Sequence, residues 1–399
     1  MTDVYNPFGK FNGKELEYLA RALDSETPEN KEFPWVQKFE ESFASKVGSK
    51  YAIAVNSGTS GLHAALYAAG VGAGDEVIQP ATTVVMDAYV TCHLGAIPIF
   101  VDIDSKSWNI DVNKIEEKIT KKTKAIIVVS LYGLPVDIEP IMIIAKKYNL
   151  AVIDDSAETL MCKYKGDIAG THADFGVYSF EKSKHMTSGS EGGMVVTNNE
   201  KYAILTRKFA GIGYKGLTAS TGRTSLASSV YQNPDYERFD TIGFNYRMNA
   251  ITAAVGLAQL ERIDHLVERR KVIGTMFLEA VKDCSWLETQ EIPNYSEHGY
   301  FTFGMRYLGA EERKIPWKDF YNRYKKMGGD GFYACWKNPY LEPSLKGRTM
   351  GEQTFELGLC PIAEQYQAQL MVFKTNYRDL SEARHQCQLL SDLIDQIGR

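Results

Sequence analysis

No run of 18 or more uninterrupted apolar residues occurs in this 399-residue chain, which excludes a membrane helix built from one continuous stretch. The opening residues, MTDVYNPFGKFNGKE, lack the basic-then-apolar order of a secretory signal, so the expected compartment is the cytoplasm. Cysteine is sparse. The six residues Cys92, Cys162, Cys284, Cys335, Cys360 and Cys387 form no C-x-x-C pair and have no companion His at ligand spacing. That distribution fits neither a disulfide scaffold nor a zinc site and leaves buried, reduced thiols as the expectation. A dominant charge is also missing: 45 Lys and Arg face 50 Asp and Glu, giving -5 without blocks of one sign, and this excludes a nucleic-acid footprint. Internal repeats and low-complexity tracts are absent as well.

What the chain does have is apolar content. At 44% it can bury a large core and is long enough for two domains. Between residues 50 and 198, short β-branched runs at 51–55, 76–79, 97–101, 125–129, 151–154, 175–180 and 194–197 alternate with helical patterns such as 59–69 and 138–148. This is the pattern of an α/β domain on a largely parallel sheet. Trp35, Phe39 and Phe43 recur at helical spacing and predict an aromatic core stripe. The polar, aperiodic stretch 211–239 reads as a functional or mobile loop. Ala253, Leu257, Leu260, Ile263 and Val267 predict one long helix over 249–281, bridging to a smaller α+β domain closed by a helix near 382–397.

Three segments can carry chemistry. Asn56-Ser57-Gly58-Thr59-Ser60-Gly61 follows a strand and opens a helix, so its N–H groups can hold a phosphate, although such turns also occur without ligands. Asp154 and Asp155 end an apolar strand, at the edge of an α/β sheet where ligands bind, and a carboxylate there needs a cationic partner such as a protonated pyridine nitrogen. The stretch from Tyr178 to Gly193 contains Lys182 and Lys184, and either amine is a useful nucleophile only when deprotonated or converted into a Schiff base. Gly70-Val71-Gly72-Ala73-Gly74 precedes a strand instead of following one, which argues against a dinucleotide loop.

Taken together, Asn56-Ser57-Gly58-Thr59, Asp154-Asp155-Ser156-Ala157-Glu158, Ser179-Phe180 followed by Lys184, Glu191-Gly192-Gly193 and Gly243-Phe244-Asn245-Tyr246-Arg247 resemble the DegT/DnrJ/EryC1/StrS family of pyridoxal-phosphate sugar aminotransferases. The resemblance implies an aspartate-aminotransferase-like (type I) fold: a large cofactor-binding α/β domain over 1–255, a small α+β domain over 256–399, and a homodimer with active sites at its interface. It implies that Lys184 carries pyridoxal 5'-phosphate in a Schiff base and that Asp155 binds the pyridine nitrogen. By the same resemblance Glu158 is expected near the ring hydroxyl, Gly58, Thr59, Ser60 and Ser179 at the phosphate site, and Asn245 at the phosphate of the neighbouring subunit. Two positions depart from the family pattern: Val84 follows Thr83 where relatives often stack an aromatic residue on the ring, and Ser190 replaces the first glycine of a G-[ED]-G-G turn.

The implied reaction is ping-pong transfer of an amino group from L-glutamate, or L-glutamine, to a keto sugar. The acceptor is either nucleotide-linked or a free sugar acid such as 8-oxo-3-deoxy-octulosonate, and 211–239 and 328–333 are expected to shape the choice. Two other readings compete. A sugar 3-dehydratase would carry His in the lysine slot, and here His185 is adjacent to that slot, where it reads as a loop hydrogen-bonder. A non-catalytic binding module would have no use for Lys184, Asp155 and the phosphate turn together. Neither membrane insertion nor nucleic-acid binding is expected.

Overall fold

β-Branched runs in the first half of the chain assemble into a seven-stranded sheet. In the computed structural model, which describes residues 10–11, 14–25, 34–222 and 227–399, its strands are β1 (Tyr51–Val55), β2 (Glu76–Pro80), β3 (Ile97–Val101), β4 (Thr123–Val129), β5 (Ala151–Asp155), β6 (Phe175–Ser179) and β7 (Gly193–Thr197). Their order is β1-β7-β6-β5-β4-β2-β3, and β7 alone runs against the rest. Each lies within two residues of its expected ends.

Both faces are covered, as a largely parallel sheet requires. Helices α3 (Gly58–Ala68) and α6 (Glu200–Ala210) pack on Ile53, Val55, Ile127 and Ile153. On the other face α5 (Ile138–Tyr148) sets Ile138, Ile141 and Ala145 against Ile78, Ile126, Val128 and Val152. α1 (Lys14–Ser25) precedes α2 (Trp35–Val47), whose stripe of Trp35, Phe39 and Phe43 is fully enclosed with Tyr178, Phe180 and Met194. α4 (Met86–His93) links β2 to β3. All six cysteines are free thiols, five of them buried.

The long helix expected over 249–281 is two helices, α7 (Ala250–Leu260) and α8 (Ile263–Val281). Arg262 leaves the helical region at φ −115°, ψ 5°. The break falls where α1 engages the chain: Lys14 and Tyr18 donate to the Glu261 carboxylate, and Arg262 pairs with Glu15 at 3.7 Å. Periodicity was blind to it, since Leu260 and Ile263 stay in apolar register across the break and both are buried.

Beyond it, a four-stranded antiparallel sheet, β8 (Leu287–Thr289), β9 (Thr302–Tyr307), β10 (Tyr333–Ala334) and β11 (Leu370–Lys374) in the order β8-β9-β11-β10, packs with α9 (Trp317–Lys326) and α10 (Leu380–Ile397). The core side chains of α8 divide: Ile263, Leu266 and Val267 join the large-domain core, whereas Ile273, Phe277 and Val281 join the small-domain core. Among the described residues, no helix is long and apolar enough to cross a membrane.

Candidate active site

Because β1, β5 and β6 run the same way, their carboxyl ends share one edge of the sheet, where loops converge and ligands bind. α3 starts just after β1, Asp155 ends β5, and the chain leaving β6 must turn back to enter the reversed β7. That irregular turn, 180–192, carries Lys184.

At the start of α3 the Ser57 side chain caps the helix by accepting from Ser60 N at 3.1 Å, and Ser60 Oγ donates to Asn56 Oδ1 at 2.6 Å. The N–H groups of Gly58 and Thr59 have no acceptor among the described residues. They open at the positive end of the helix. A Cβ on Gly58 would come within 3.1 Å of Ser179 Cβ, a tight approach that places Ser179 against this turn. Gly58, Thr59, Ser60 and Ser179 are therefore brought together as the sequence suggested.

Strand alternation sorts the two aspartates. Asp154 faces inward with both oxygens bonded, one from Ser156 Oγ at 2.9 Å and one from Gly170 N at 3.1 Å, and burial pushes it up to about 7. Asp155 accepts from Ala157 N at 3.0 Å, and its Oδ2 has no hydrogen-bond partner among the described residues. Burial raises it to about 6, opposed by that N–H and by the charge of Lys184. Lys184 Nζ lies 3.5 Å from Glu158 Oε1, and both side chains are largely buried. Glu158 Oε2 accepts from Tyr132 N at 2.8 Å, where Tyr132 adopts a left-handed φ of 60°. Phe301 from the small domain covers the amine, its ring centroid 4.1 Å from Nζ.

Glu158 and Phe301, the two neighbours of the Lys184 amine, line a cavity of about 410 Å³ together with Thr83, Val84, Ser183 and Arg270, with the exposed rings of Tyr333 and Trp336 at its rim. Tyr333, which ends the 328–333 turn, thus faces the site. No described residue of 211–239 lines this cavity, so in this chain that half of the expected specificity surface lies elsewhere. Asn245 is exposed on a stretch bridged to Gly211 and makes no hydrogen bond to the Gly58–Ser179 cluster of its own chain. His185 is turned away from the cavity, its Nε2 3.0 Å from Gly299 O, and burial holds it well below the usual histidine range. At the glycine turn, Gly189 supplies the left-handed residue, at φ 101°, so Ser190 needs no glycine backbone.

Two residues were not anticipated. Asp87, in the first turn of α4, is fully buried, with Thr83 Oγ1 donating to its Oδ2 at 2.6 Å and its Oδ1 unpartnered. Burial, and then the nearby Asp155 charge, push its carboxyl up from the usual carboxylate range. Its sequence signal, an acid beginning a helix, is too common to stand out. Arg270 is the other, a buried cation on the cavity wall.

The arrangement suits an anion at the start of α3, a cationic ring nitrogen at Asp155 and a carbonyl carbon at Lys184. Pyridoxal phosphate carries all three groups, and the residues fit it. The model of the DegT/DnrJ/EryC1/StrS aminotransferase family matches residues 10–357. The chain is 40% identical over 311 residues to GDP-perosamine synthase of Escherichia coli O157:H7, covering 78% of this chain and 79% of that protein. It is likewise 40% identical over 266 residues to GDP-perosamine synthase of Caulobacter vibrioides, covering 66% and 67%. An aminotransferase structure from Psychrobacter cryohalolentis superposes with a TM-score of 0.85 at 27% identity, covering 98% of this chain and 99% of that one.

Proposed function

Since the chain belongs to the DegT/DnrJ/EryC1/StrS family of pyridoxal-phosphate-dependent aminotransferases, we propose that it transfers an amino group from L-glutamate, or L-glutamine, to a keto sugar in surface polysaccharide or lipopolysaccharide biosynthesis. The observation that carries this reading is a shielded lysine amine, 3.5 Å from Glu158 and under the Phe301 ring, two residues that line a sugar-sized cavity. Similarity to two GDP-perosamine synthases supports a nucleotide-linked keto hexose as acceptor. A free sugar acid such as 8-oxo-3-deoxy-octulosonate is the alternative acceptor.

Bound here, pyridoxal phosphate supplies a carbonyl that accepts and returns the amino group and a ring that withdraws electrons from the carbon losing its proton. The N–H groups of Gly58 and Thr59, with the Ser179 hydroxyl, would hold its phosphate, and Ser60, whose hydroxyl donates to Asn56, would stand beside it. Asp155 holds the proton on its ring nitrogen, and Glu158 stands near its hydroxyl. Lys184 Nζ, freed when the donor binds, takes a proton from the donor's α-carbon and delivers one on the way to product. Phe301 excludes water from that amine.

His185 engages Gly299 O while Lys184 faces Glu158, which favours transamination over dehydration. Phe239, Phe244 and the 93% exposed Ile242 flank Asn245, an apolar surface that supports a homodimer in which Asn245 serves the partner's phosphate site.

The test is borohydride reduction of the holoprotein with peptide mapping, then glutamate consumption across a panel of nucleotide-linked 3-keto and 4-keto hexoses and the oxidised octulosonate. The adduct is expected on Lys184, and Lys184→Ala should bind cofactor without turnover. An adduct on another side chain, or near-normal turnover by Lys184→Ala, refutes the reading.

A further inference from the structure

Arg270 is a guanidinium in an unusual position. It is only 6% exposed, and all of its hydrogen-bond acceptors are uncharged oxygens. Among the described residues no carboxylate lies within ion-pair distance of it; burial lowers it to about 10, opposed by the more distant Glu158 charge, so it is still charged at neutral pH. Enclosing an unpaired cation is costly, so the acceptors it satisfies should have a purpose.

Those acceptors come from two places. Nη1 donates to Phe301 O at 2.6 Å and to Thr375 Oγ1 at 3.3 Å, both in the small domain. Nη2 donates to Ser183 O and, at 3.2 Å, to Lys184 O, both in the turn between β6 and β7. Arg270 also sits where α8 passes from one core to the other, between Val267 and Ile273. The Thr375 hydroxyl is itself fixed, donating to Tyr300 O at 2.6 Å.

The turn 180–192 has neither helix nor strand to hold it. Around Lys184, its N donates to Glu181 O at 3.0 Å, and its O also accepts from Lys10 Nζ at 3.0 Å. Lys10 provides a point charge on a flexible stem, whereas the planar fork of Arg270 fixes direction as well as distance. The same fork holds the carbonyl of Phe301, the residue whose ring covers the Lys184 amine.

The geometry points to Arg270 as a positioning residue: it locks the backbone that carries the Lys184 amine to the small-domain segment that covers it, so that amine and cover move together. This rests on Lys184 being the reactive lysine. Because Arg270 acts through Ser183, Lys184 and Phe301, its loss should impair reaction at saturating substrate more than binding.

The test is Arg270→Lys, which keeps the charge and loses the fork, alongside Thr375→Val, which removes one acceptor. For Arg270→Lys, kcat should fall about 10- to 100-fold, the scale set by misplacing a reacting group, with KM for donor and acceptor within about threefold of wild type. The visible circular dichroism of the bound cofactor should change, and amide exchange over 180–192 in the cofactor-free protein should quicken. Thr375→Val should shift the same observables in the same direction but less. Wild-type kcat, dichroism and exchange in Arg270→Lys overturn the proposal, as does a loss confined to KM. If Arg270→Lys does not fold, an unchanged kcat and exchange pattern in Thr375→Val overturns it. Mapping the borohydride adduct beforehand keeps the questions apart: an adduct away from Lys184 refutes the functional reading, while the exchange experiment still decides whether Arg270 holds the turn.

Discussion

Asp155 should destabilise the cofactor-free protein at neutral pH. Burial raises its carboxyl from 3.8 to about 6 even with the Ala157 N–H and the Lys184 charge pulling the other way. The folded protein therefore binds this proton more tightly than the unfolded chain, and stability falls as pH rises through that interval. At 1.36 kcal/mol per pH unit the ionised carboxylate costs about 3 kcal/mol above the window and nothing below it. Asp155→Asn keeps an acceptor for Ala157 N and removes the charge, while Lys184 retains Glu158 as its counter-ion. In urea denaturation, cofactor-free Asp155→Asn should exceed wild type by about 2–3 kcal/mol near pH 7.5, with the difference closing near pH 4. Saturating pyridoxal phosphate should reverse the ranking, because only the carboxylate can hold a protonated ring nitrogen. A cofactor-free variant less stable than wild type at neutral pH, or a difference that does not vary with pH, refutes the reasoning.

Gly193→Ala should damage the phosphate turn, since its Cβ would stand 2.6 Å from the Ser57 carbonyl and 2.7 Å from Gly58 N, backbone atoms that cannot rotate away. We expect a loss of about 1–3 kcal/mol in denaturation together with weaker cofactor binding in a fluorescence titration, and unchanged affinity would contradict the placement. Glu40→Ala should cost about 3–5 kcal/mol by the same assay, because it strands the buried Arg207 fork that now bonds both Glu40 oxygens at 2.9 and 3.0 Å. A cost under about 1 kcal/mol would show that Ala52 O and Ala219 O alone suffice for that guanidinium.

The strands and the phosphate turn were legible because their causes are local. β-Branched runs bounded by polar residues form β1 to β7, and Ser57 caps α3 through atoms only three residues apart. The choice between Asp154 and Asp155 also follows from strand alternation, although the sequence left it to family resemblance. The break at Arg262 was not legible, because it depends on contacts with α1, more than 240 residues earlier in sequence. Arg270 escaped for the same reason: nothing in the helical pattern distinguishes it from the adjacent Arg269, and only the tertiary fold sets it against the Lys184 turn. The turn itself could be located between two strands, but not the Phe301 ring that closes over it from the other domain.

Asp87 shows how these charges depend on one another. Asp87, Asp155 and Glu158 interact electrostatically, and among the described residues Thr83 is the only side chain hydrogen-bonded to the Asp87 carboxyl. Burial and the charges of Asp155 and Glu158 raise the Asp87 carboxyl, whereas the Lys184 charge pulls Asp155 down. Glu158 pairs with Lys184 and attracts Arg270 from beyond ion-pair distance. A ligand entering this pocket must bring its own positive charge to Asp155 and carry any anionic group away from the acids, toward the start of α3, where unpaired N–H groups and the helix dipole await it. A protonated pyridine with a phosphate arm meets both conditions, whereas a neutral ring or one bearing its anion near the nitrogen does not.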